Sequence, residues 1–399
     1  MLVCCLYSAM RGWVLLFAVL LVAAAAAAQL PAVPVFVSGT EGHRSYRIPA
    51  IVSLPNGRLM AFCEGRVNNA GDFGDINIVV KRSSNHGRTW SALQTVVDAD
   101  SLQAGNPAPV VDITDPRYPR GRIFLFYNTG NNHEGEVRKG NGLREVWYTT
   151  SVDEGLTWTA PVNITHQVHR PKQPQANPAY NFPEDWRSYA NTPGHAMQFH
   201  QGRYRGRIYI AANHSAGNPQ QHFQDYAAHG FYTDDHGTTF HLSDNVDLPG
   251  GNENMAAALS GNRLMLNCRN QQGNIKSRIV AISSNGGQSW DTSYYDRQLP
   301  DPVCQGSLLQ AGVYRGKPVL AFCNAADTVR RDHLTLRISF DEGKTWRQHY
   351  PVDQAPEGYT GDYTAYSDLV ALPASELGIL YEKDNYRRIV FTAVKWKRY

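Results

Sequence analysis

The sequence has little net charge, few cysteines and, beyond its first 28 residues, no long apolar run. Its 38 lysines and arginines nearly balance 35 acidic residues, and the basic residues are scattered, so no nucleic-acid partner is expected. None of the six cysteines stands in a Cys-x-x-Cys pair, which argues against a zinc site. One or two disulfides and buried free thiols fit the four cysteines after residue 28 equally well.

The one long apolar stretch lies at the amino terminus. Arg11 precedes an apolar run at residues 14–22, and six alanines follow at residues 23–28. This order is typical of a signal peptide, and cleavage is predicted after Ala28. An uncleaved membrane anchor is the alternative, although residues 12–28 only just reach the roughly 17 residues that a spanning helix needs. We therefore expect a secreted or extracellular protein, with lysosomal and cell-surface locations as variants, and no membrane span after cleavage.

Residues 29–399 have room for one large β domain or two ordinary domains. The sequence contains 34 glycines and 22 prolines, and 11% of its residues are aromatic. This composition favours many short strands joined by tight turns over helices.

Five segments share the pattern Ser/Thr-x-Asp/Asn-x-Gly-x-Ser/Thr-aromatic, and each follows a strand-like run. The acidic or amide side chain can bind nearby backbone N–H groups and the glycine permits a positive φ, so the pattern predicts a hairpin turn. The segments start 50 to 82 residues apart, which is about the length of a four-stranded propeller blade. They are residues 83–90, 151–158, 233–240, 283–290 and 339–346.

This repeated pattern resembles the Asp box of sialidases. The resemblance implies an all-β, six-bladed β-propeller over residues 29–399, with about 62 residues in each blade. In that family the boxes lie away from the active site, so all five are expected to be structural, and Asp153 and Asp341 are not expected in the site.

The resemblance is most specific at Tyr46-Arg47-Ile48-Pro49, which is similar to the Tyr/Phe-Arg-Ile-Pro signature of sialidases. A sialic acid carries a carboxylate on its anomeric carbon, and arginine offers the planar fork that suits a carboxylate. The resemblance implies that Arg47, Arg269 and Arg337 bind that carboxylate. Arg337 is preferred over Arg330 and Arg331 because it directly precedes the last box.

The expected nucleophile is Tyr366, in the Tyr-Ser-x-Leu context that the family shows after the last box. A neutral hydroxyl suits this reaction better than an anion, because an anionic nucleophile would be repelled by the neighbouring carboxylate. Glu253, sixteen residues before Arg269, is the implied base that activates it. Tyr359 and Tyr363 are rival nucleophiles, and spacing alone does not exclude Tyr363.

Four further residues complete the implied site. Asp72, eleven residues ahead of the first box, is the expected acid and base, with Asp75 as its rival. Glu382 resembles the family glutamate that supports the first arginine. Asp112, in an Asn-Pro-x-Pro-Val-Val-Asp stretch, and Arg66 are candidate contacts to the sugar.

The implied activity is that of a retaining exo-α-sialidase acting on sialylated glycans, glycoproteins or gangliosides. The chemistry needs no cofactor and no metal, and a structural calcium ion stays open. The alternatives are a trans-sialidase, in which an acceptor sugar would stack on Trp186 or Tyr189, a hydrolase for deaminated sialic acid, and a propeller that binds sialic acid without catalysis.

Overall fold

The computed structural model describes residues 31–396, and these residues form an all-β fold. The signal peptide predicted for residues 1–28 lies outside the described residues. Two short helices, α1 (Glu134–Arg138) and α2 (Thr165–Val168), interrupt the strands. Within residues 31–396, no helix has the length and apolar character needed to cross a membrane.

The strands form five hydrogen-bonded sheets. The first sheet has eight strands: β2 (Ser45–Ser53), β3 (Leu59–Arg66), β4 (Ile76–Ser83), β5 (Gln94–Val97), β6 (Gln103–Asp112), β7 (Arg122–Gly130), β8 (Arg144–Ser151) and β9 (Val162–Asn163). The second has five: β10 (Trp186–Asn191), β11 (Met197–Gln198), β12 (Ile208–Ala216), β13 (Tyr226–Thr233) and β14 (His241–Leu242).

The other three sheets have four strands each. The third holds β15 (Gly251–Ala258), β16 (Leu264–Asn270), β17 (Ser277–Ser283) and β18 (Thr292–Pro300). The fourth holds β19 (Gly306–Tyr314), β20 (Lys317–Ala325), β21 (Leu334–Ser339) and β22 (Gln348–Asp353). The fifth holds β1 (Val33–Val37), β23 (Thr364–Leu372), β24 (Glu376–Lys383) and β25 (Arg388–Lys395).

The innermost strands pack against one another around a common axis. Strand β2 packs on β6 and β23, and β19 packs on β15 and β23. This arrangement confirms the expected all-β propeller. The sheets number five, because β2–β5 and β6–β9 are two antiparallel meanders joined by one parallel bridge between Ile76 and Gln103.

The ring is closed by strands that are distant in sequence. Strand β1 pairs antiparallel with β25, and the register runs from Val33 opposite Phe391 to Val37 opposite Arg388. Hydrophobic clusters fill the spaces between adjoining sheets, and one of them joins Phe36 of β1 to Tyr46 of β2. The four described cysteines, Cys63, Cys268, Cys304 and Cys323, are buried free thiols, which decides between the two expectations for them.

The five repeated segments form turns with one hydrogen-bonding scheme. In the second turn, the Ser151 hydroxyl donates to Asp153 at 2.7 Å and accepts from the amide of Gly155 at 2.9 Å. Asp153 also accepts from the Thr157 amide at 2.9 Å. The corresponding glycine amides bind the Ser or Thr oxygen at 2.8 to 2.9 Å in the other four turns.

The glycine of each turn lies against a large side chain of the preceding meander. A Cβ at Gly155 would come within 2.2 Å of Cε of Met60, and one at Gly87 within 2.1 Å of the Phe391 ring. The glycines also have positive φ, such as 77° at Gly155, so both space and backbone require glycine. The other pairs are Gly237 with Phe124, Gly287 with Tyr209 and Gly343 with Met265.

Candidate active site

One cleft lies where the innermost strands begin. It has a volume of about 460 Å³, and six arginines and four carboxylates line it, so it carries an excess of positive charge that favours an anionic ligand. Its charged and phenolic lining residues are Arg47, Glu64, Arg66, Asp72, Glu134, Arg138, Arg144, Tyr189, Tyr226, Glu253, Arg269, Arg331 and Tyr366.

Four innermost strands are irregular where they reach the cleft. A bulge in a strand re-aims a side chain, and bulges are common beside active sites. Arg47, Asn106, Glu253 and Tyr366 lie in these irregular segments, and all four line the cleft. The shifts in pairing register lie at residues 47–50, 105–108, 251–254 and 364–367.

Two of these segments contain a left-handed residue directly before a proline. The φ angles are 62° at Ile48 and 54° at Asn106. This conformation is strained for the β-branched Ile48, whereas asparagine tolerates it. A buried glutamate holds each one: the Ile48 amide donates to Glu382 at 2.9 Å, and the Asn106 amide donates to Glu64 at 3.0 Å. These carboxylates therefore fix the backbone that presents the cleft residues.

Tyr366, Glu253 and Arg269 form one hydrogen-bonded group. The Tyr366 hydroxyl donates to Oε1 of Glu253 at 2.6 Å, and Nη1 of Arg269 donates to the other Glu253 oxygen at 2.7 Å. The same Nη1 lies 3.0 Å from the Tyr366 hydroxyl oxygen. A phenol with a carboxylate acceptor and a cation beside it can act as a nucleophile when the carboxylate takes its proton.

The surroundings keep Tyr366 protonated in the free protein. Burial raises the pKa of Tyr366 well above its usual value, and the Glu253 carboxylate raises it further, while Arg269 and Arg331 act against them. The hydroxyl is therefore neutral near pH 7, and its proton must pass to Glu253 as it reacts. The rival Tyr363 does not line the cleft; its ring lies 5.0 Å from Nζ of Lys383.

Glu382 joins Arg47 to the strand that carries Tyr366. Its Oε1 accepts from Nε of Arg47 at 2.7 Å and its Oε2 accepts from the Tyr366 amide at 3.2 Å. The Glu382 side chain is fully buried and that of Arg47 is 11% exposed. This ion pair opposes the desolvation of Arg47, so the pKa of Arg47 stays above its usual value. Glu382 thus lies behind the cleft, as a support.

The third arginine of the cleft is Arg331, and the placement of Arg337 there is wrong. Arg337 lies within strand β21, donates to Asn324 of the adjacent strand at 3.0 Å and does not line the cleft. Arg331 lies in the loop before that strand, and its guanidinium carbon is 5.5 Å from the centroid of the Tyr366 ring. The loop opens onto the cleft and the strand does not.

Asp72 lies on the loop between β3 and β4, with its side chain 82% exposed at the cleft. Arg66 donates to it at 2.7 Å and also to Glu64 at 2.7 Å. The loss of water on the cleft side works against the charge on Asp72, but Arg66, with Arg47 further away, outweighs it and lowers the pKa of the carboxyl group. The rival Asp75 does not line the cleft.

Asp112 lies away from the cleft, contrary to its predicted role as a sugar contact. Strand β6 enters the cleft near Asn106 and runs about 20 Å further to Asp112 at the usual rise of 3.3 Å per residue. There Asp112, Asp115 and His236 form the one group in residues 31–396 with cation-ligand spacing. Asp112 is already bonded to His236 and Gln198, both at 2.7 Å, so these oxygens have protein partners.

Several cleft residues were missed in the sequence. Arg144 donates to Gln103 at 2.7 Å, and burial lowers the pKa of Arg144. The Tyr226 hydroxyl donates to the Glu134 carboxylate, and burial and Glu134 together raise the pKa of Tyr226. The available signal was an arginine at the start of a strand-like segment, as in Arg144 at the start of β8.

Comparison with known proteins finds relatives that are sialidases by name. Residues 57–379 match the family model described as BNR repeat-like domain. A sialidase of Micromonospora viridifaciens is 32% identical over 362 residues, which are 87% of this chain and 51% of that protein. An exo-alpha-sialidase of Arthroderma benhamiae is 30% identical over 90% of this chain and 83% of that protein. The chain thus spans about half the length of the first relative and most of the second.

Two solved structures that resemble the chain are a sialidase and an intramolecular trans-sialidase by name. The Hadza microbial sialidase Hz136 aligns with a TM-score of 0.73 and 26% identity, over 90% of this chain and 67% of that one. The leech intramolecular trans-sialidase aligns with a TM-score of 0.70 and 16% identity, over 92% and 70% of the two chains, and shows the fold alone. From the family model and the relatives together, the chain belongs to the sialidase family of glycoside hydrolases.

Proposed function

We propose that the chain is an exo-α-sialidase that releases terminal α-linked sialic acids from sialylated glycans. The observation that carries the proposal is the grouping of Arg47, Arg269 and Arg331 around one phenol that is paired with a carboxylate. Arg47 and Arg331 each place a guanidinium carbon 5.5 Å from the Tyr366 ring centroid, and Arg269 contacts its hydroxyl at 3.0 Å. Three guanidinium groups beside a nucleophile suit a substrate with a carboxylate on its reacting carbon.

The proposed reaction proceeds with retention in two displacements. Oη of Tyr366 attacks the anomeric carbon and its proton passes to Glu253, while the glycosidic bond breaks and the leaving oxygen takes a proton from Asp72. A water molecule then gives a proton to Asp72 and attacks the same carbon. The bond to Tyr366 breaks, and the phenolate regains its proton from Glu253. Two inversions at one carbon give overall retention.

Asp72 must carry a proton for the first step, although Arg66 and Arg47 favour its charged form in the free cleft. A bound substrate carboxylate would neutralise part of that positive field. Its binding should therefore raise the pKa of Asp72 and promote uptake of the proton that the leaving group needs.

The test is release of 4-methylumbelliferone from its α-sialoside, with Tyr366→Phe compared with Tyr363→Phe. Loss of nearly all activity in the first variant and retention in the second would support the proposal. An inactive unchanged protein would refute the enzyme proposal and favour a propeller that binds sialic acid without catalysis. NMR of the first anomer released tests retention separately.

We also propose that the propeller has six blades. Its support is that each repeated turn places its glycine against the preceding meander: Gly87 on β25, Gly155 on β3, Gly237 on β7, Gly287 on β12 and Gly343 on β16. Because Gly155, which follows β8, packs on β3, these contacts indicate that β2–β5 and β6–β9 are two separate blades. Five turns then suffice for six blades, because the fourth strand of the last blade is β1 and no turn precedes it.

Hydrolysis is proposed over transfer, because neither ring suggested as an acceptor platform is exposed. Trp186 is 8% exposed and stacks on His214 with ring centroids 3.5 Å apart, and Tyr189 is 2% exposed. Product analysis with added lactose tests this: a sialylated lactose product in excess of free sialic acid would contradict it.

Deaminated sialic acid is a second candidate substrate. The cleft beyond Tyr366 is lined by polar side chains that include Gln103, Asn128, Arg144 and Asn213. Such groups suit a hydroxyl, whereas the methyl of an N-acetyl group prefers an apolar contact. Comparing kcat/KM for the N-acetylated and deaminated glycosides decides between the two substrates.

We propose that the protein is exported after cleavage following Ala28, on the support of the apolar run and alanines at residues 14–28. The test is amino-terminal sequencing of the protein recovered from the culture medium of the cells that produce it. A first residue other than Gln29 would contradict the cleavage site, and retention of Arg11 in a membrane fraction would favour the anchor.

A further inference from the structure

Tyr386 lies between two arginines of the cleft. Nη1 of Arg331 donates to its hydroxyl oxygen at 3.0 Å, and the guanidinium carbon of Arg47 lies 4.0 Å from the centroid of its ring. The hydroxyl of Tyr386 thus binds Arg331, and the face of its ring lies against Arg47. An aromatic face attracts a guanidinium through its quadrupole, so both contacts are attractive.

The hydroxyl of Tyr386 also separates Arg331 from a carboxylate. It donates to Oδ2 of Asp362, while Oδ1 of Asp362 accepts from the Arg331 amide at 3.4 Å. Nε of Arg331 lies 3.9 Å from Oδ2 of Asp362, too far for a hydrogen bond. Asp362 therefore orients the phenol and the phenol orients the guanidinium.

Arg331 depends on this contact more than the other two arginines do. Arg47 has Glu382 and Arg269 has Glu253, both at 2.7 Å. In the described part of the chain, the ion pair of Arg331 is the long one with Asp362 at 3.9 Å. A guanidinium without a close carboxylate is free to bind a ligand anion, but it needs another group to keep it in place.

Tyr386 lies in a turn of three consecutive left-handed residues that neighbouring groups hold in place. The φ angles of Asp384, Asn385 and Tyr386 are 61°, 50° and 63°. Such residues persist only where neighbours hold them. The Asn385 amide donates to the Asp362 carbonyl at 2.8 Å, and the Ser38 hydroxyl donates to the Tyr386 carbonyl at 2.9 Å.

We propose that Tyr386 is a positioning residue for carboxylate binding, which keeps Arg331 and Arg47 side by side at the end of the cleft that receives the substrate carboxylate. The inference rests on the proposed sialidase function, because it assigns the carboxylate to these arginines. Without the hydroxyl, Arg331 would turn towards Asp362 and its charge would be withdrawn from the ligand.

The test compares Tyr386→Phe with Tyr359→Phe. Tyr359 is the matched control, because its hydroxyl donates to Asp384 of the same turn at 3.0 Å and does not contact Arg47 or Arg331. The probes are the inhibitor 2-deoxy-2,3-dehydro-N-acetylneuraminic acid and its uncharged 1-carboxamide. Their inhibition constants are measured with the KM and kcat of a fluorogenic sialoside and the melting temperature of each variant.

We expect Tyr386→Phe to raise the inhibition constant of the acid roughly tenfold, which corresponds to the loss of one hydrogen bond to a charged group. The variant should also raise KM more than it lowers kcat. The amide and the Tyr359→Phe variant should change little. Unchanged affinity for the acid, or equal weakening of acid and amide, would overturn the proposal.

If Tyr386→Phe does not fold, Asp362→Ala takes its place, because alanine removes the acceptor oxygen that orients the phenol. The same selective loss of acid affinity is expected, and its absence would overturn the proposal. The unchanged protein provides the separate check: if it neither binds the acid nor cleaves the sialoside, the sialidase function itself has failed.

Discussion

Replacing Glu382 by glutamine should damage both stability and catalysis. The carboxylate accepts three hydrogen bonds, from Nε of Arg47 at 2.7 Å, from the Ile48 amide at 2.9 Å and from the Tyr366 amide at 3.2 Å. All three partners are donors. An amide offers one acceptor oxygen, so in either orientation its NH₂ group faces a donor, and Arg47 loses its negative partner.

Breaking a buried ion pair from one side costs about 3–5 kcal/mol, and the 11% exposure of the Arg47 side chain places this case near 3 kcal/mol. If the same energy is lost from binding of the transition state, kcat/KM falls roughly 100-fold. Thermal unfolding and steady-state kinetics on a fluorogenic sialoside measure the two effects. Glu376→Gln, at the other end of β24, is the control. A Glu382→Gln variant with unchanged melting temperature and KM would refute the reasoning.

Three further predictions concern the third arginine, the turns and acid stability. Arg331→Met should raise KM at least roughly tenfold, because it removes a charged hydrogen bond to the ligand. Arg337→Lys should lower the melting temperature and leave KM unchanged. The reverse pattern of KM values would indicate that Arg337, and not Arg331, binds the ligand. Gly155→Ala should destabilise the fold without altering KM in thermal and kinetic assays, because its φ is 77° and its Cβ would meet Met60. The folded-state pKa of Asp153 is about 2: burial opposes its charge, but hydrogen bonds from the turn outweigh it. Its contribution to stability is thus complete above the unfolded pKa of about 3.9 and is lost as the pH falls towards 2. Asp153→Asn should make acid unfolding less steep in that window, followed by tryptophan fluorescence, and an unchanged profile would contradict this.

The fold was predictable from the sequence because its repeat is local. Each turn needs a few residues at fixed spacing, such as Ser151, Asp153 and Gly155, so the pattern is visible without knowledge of the rest of the chain. The docking role of the glycines was not visible, since the side chains they meet, such as Phe391 for Gly87, lie far away in sequence. The eight-stranded sheet was also missed, because one backbone bridge between Ile76 and Gln103 joins two units.

The site was partly predictable because short motifs of the sequence resemble those of sialidases. Tyr366, Glu253 and Arg47 were assigned from this resemblance, and all three line the cleft. Arg331 was not, because only the three-dimensional course of the chain separates a loop that opens on the cleft from the strand that follows it. The prediction for Asp112 was wrong for a similar reason: Asp112 lies on the same strand as Asn106, but at the end of the strand away from the cleft.

The pairing of β1 with β25 places the seam of the ring beside the ligand. Ser38 follows β1, and its hydroxyl bonds to the carbonyl of Tyr386 across the seam. On one side of the seam the chain continues from β1 towards Arg47, and on the other side lie Tyr386 and Glu382. A carboxylate bound at this end of the cleft would therefore connect both sides of the seam. A ligand that binds only the closed form stabilises it in proportion to the logarithm of its concentration over Kd. Ligand occupancy should therefore oppose opening of the seam, and resistance to proteolysis at β1 becomes a measure of binding.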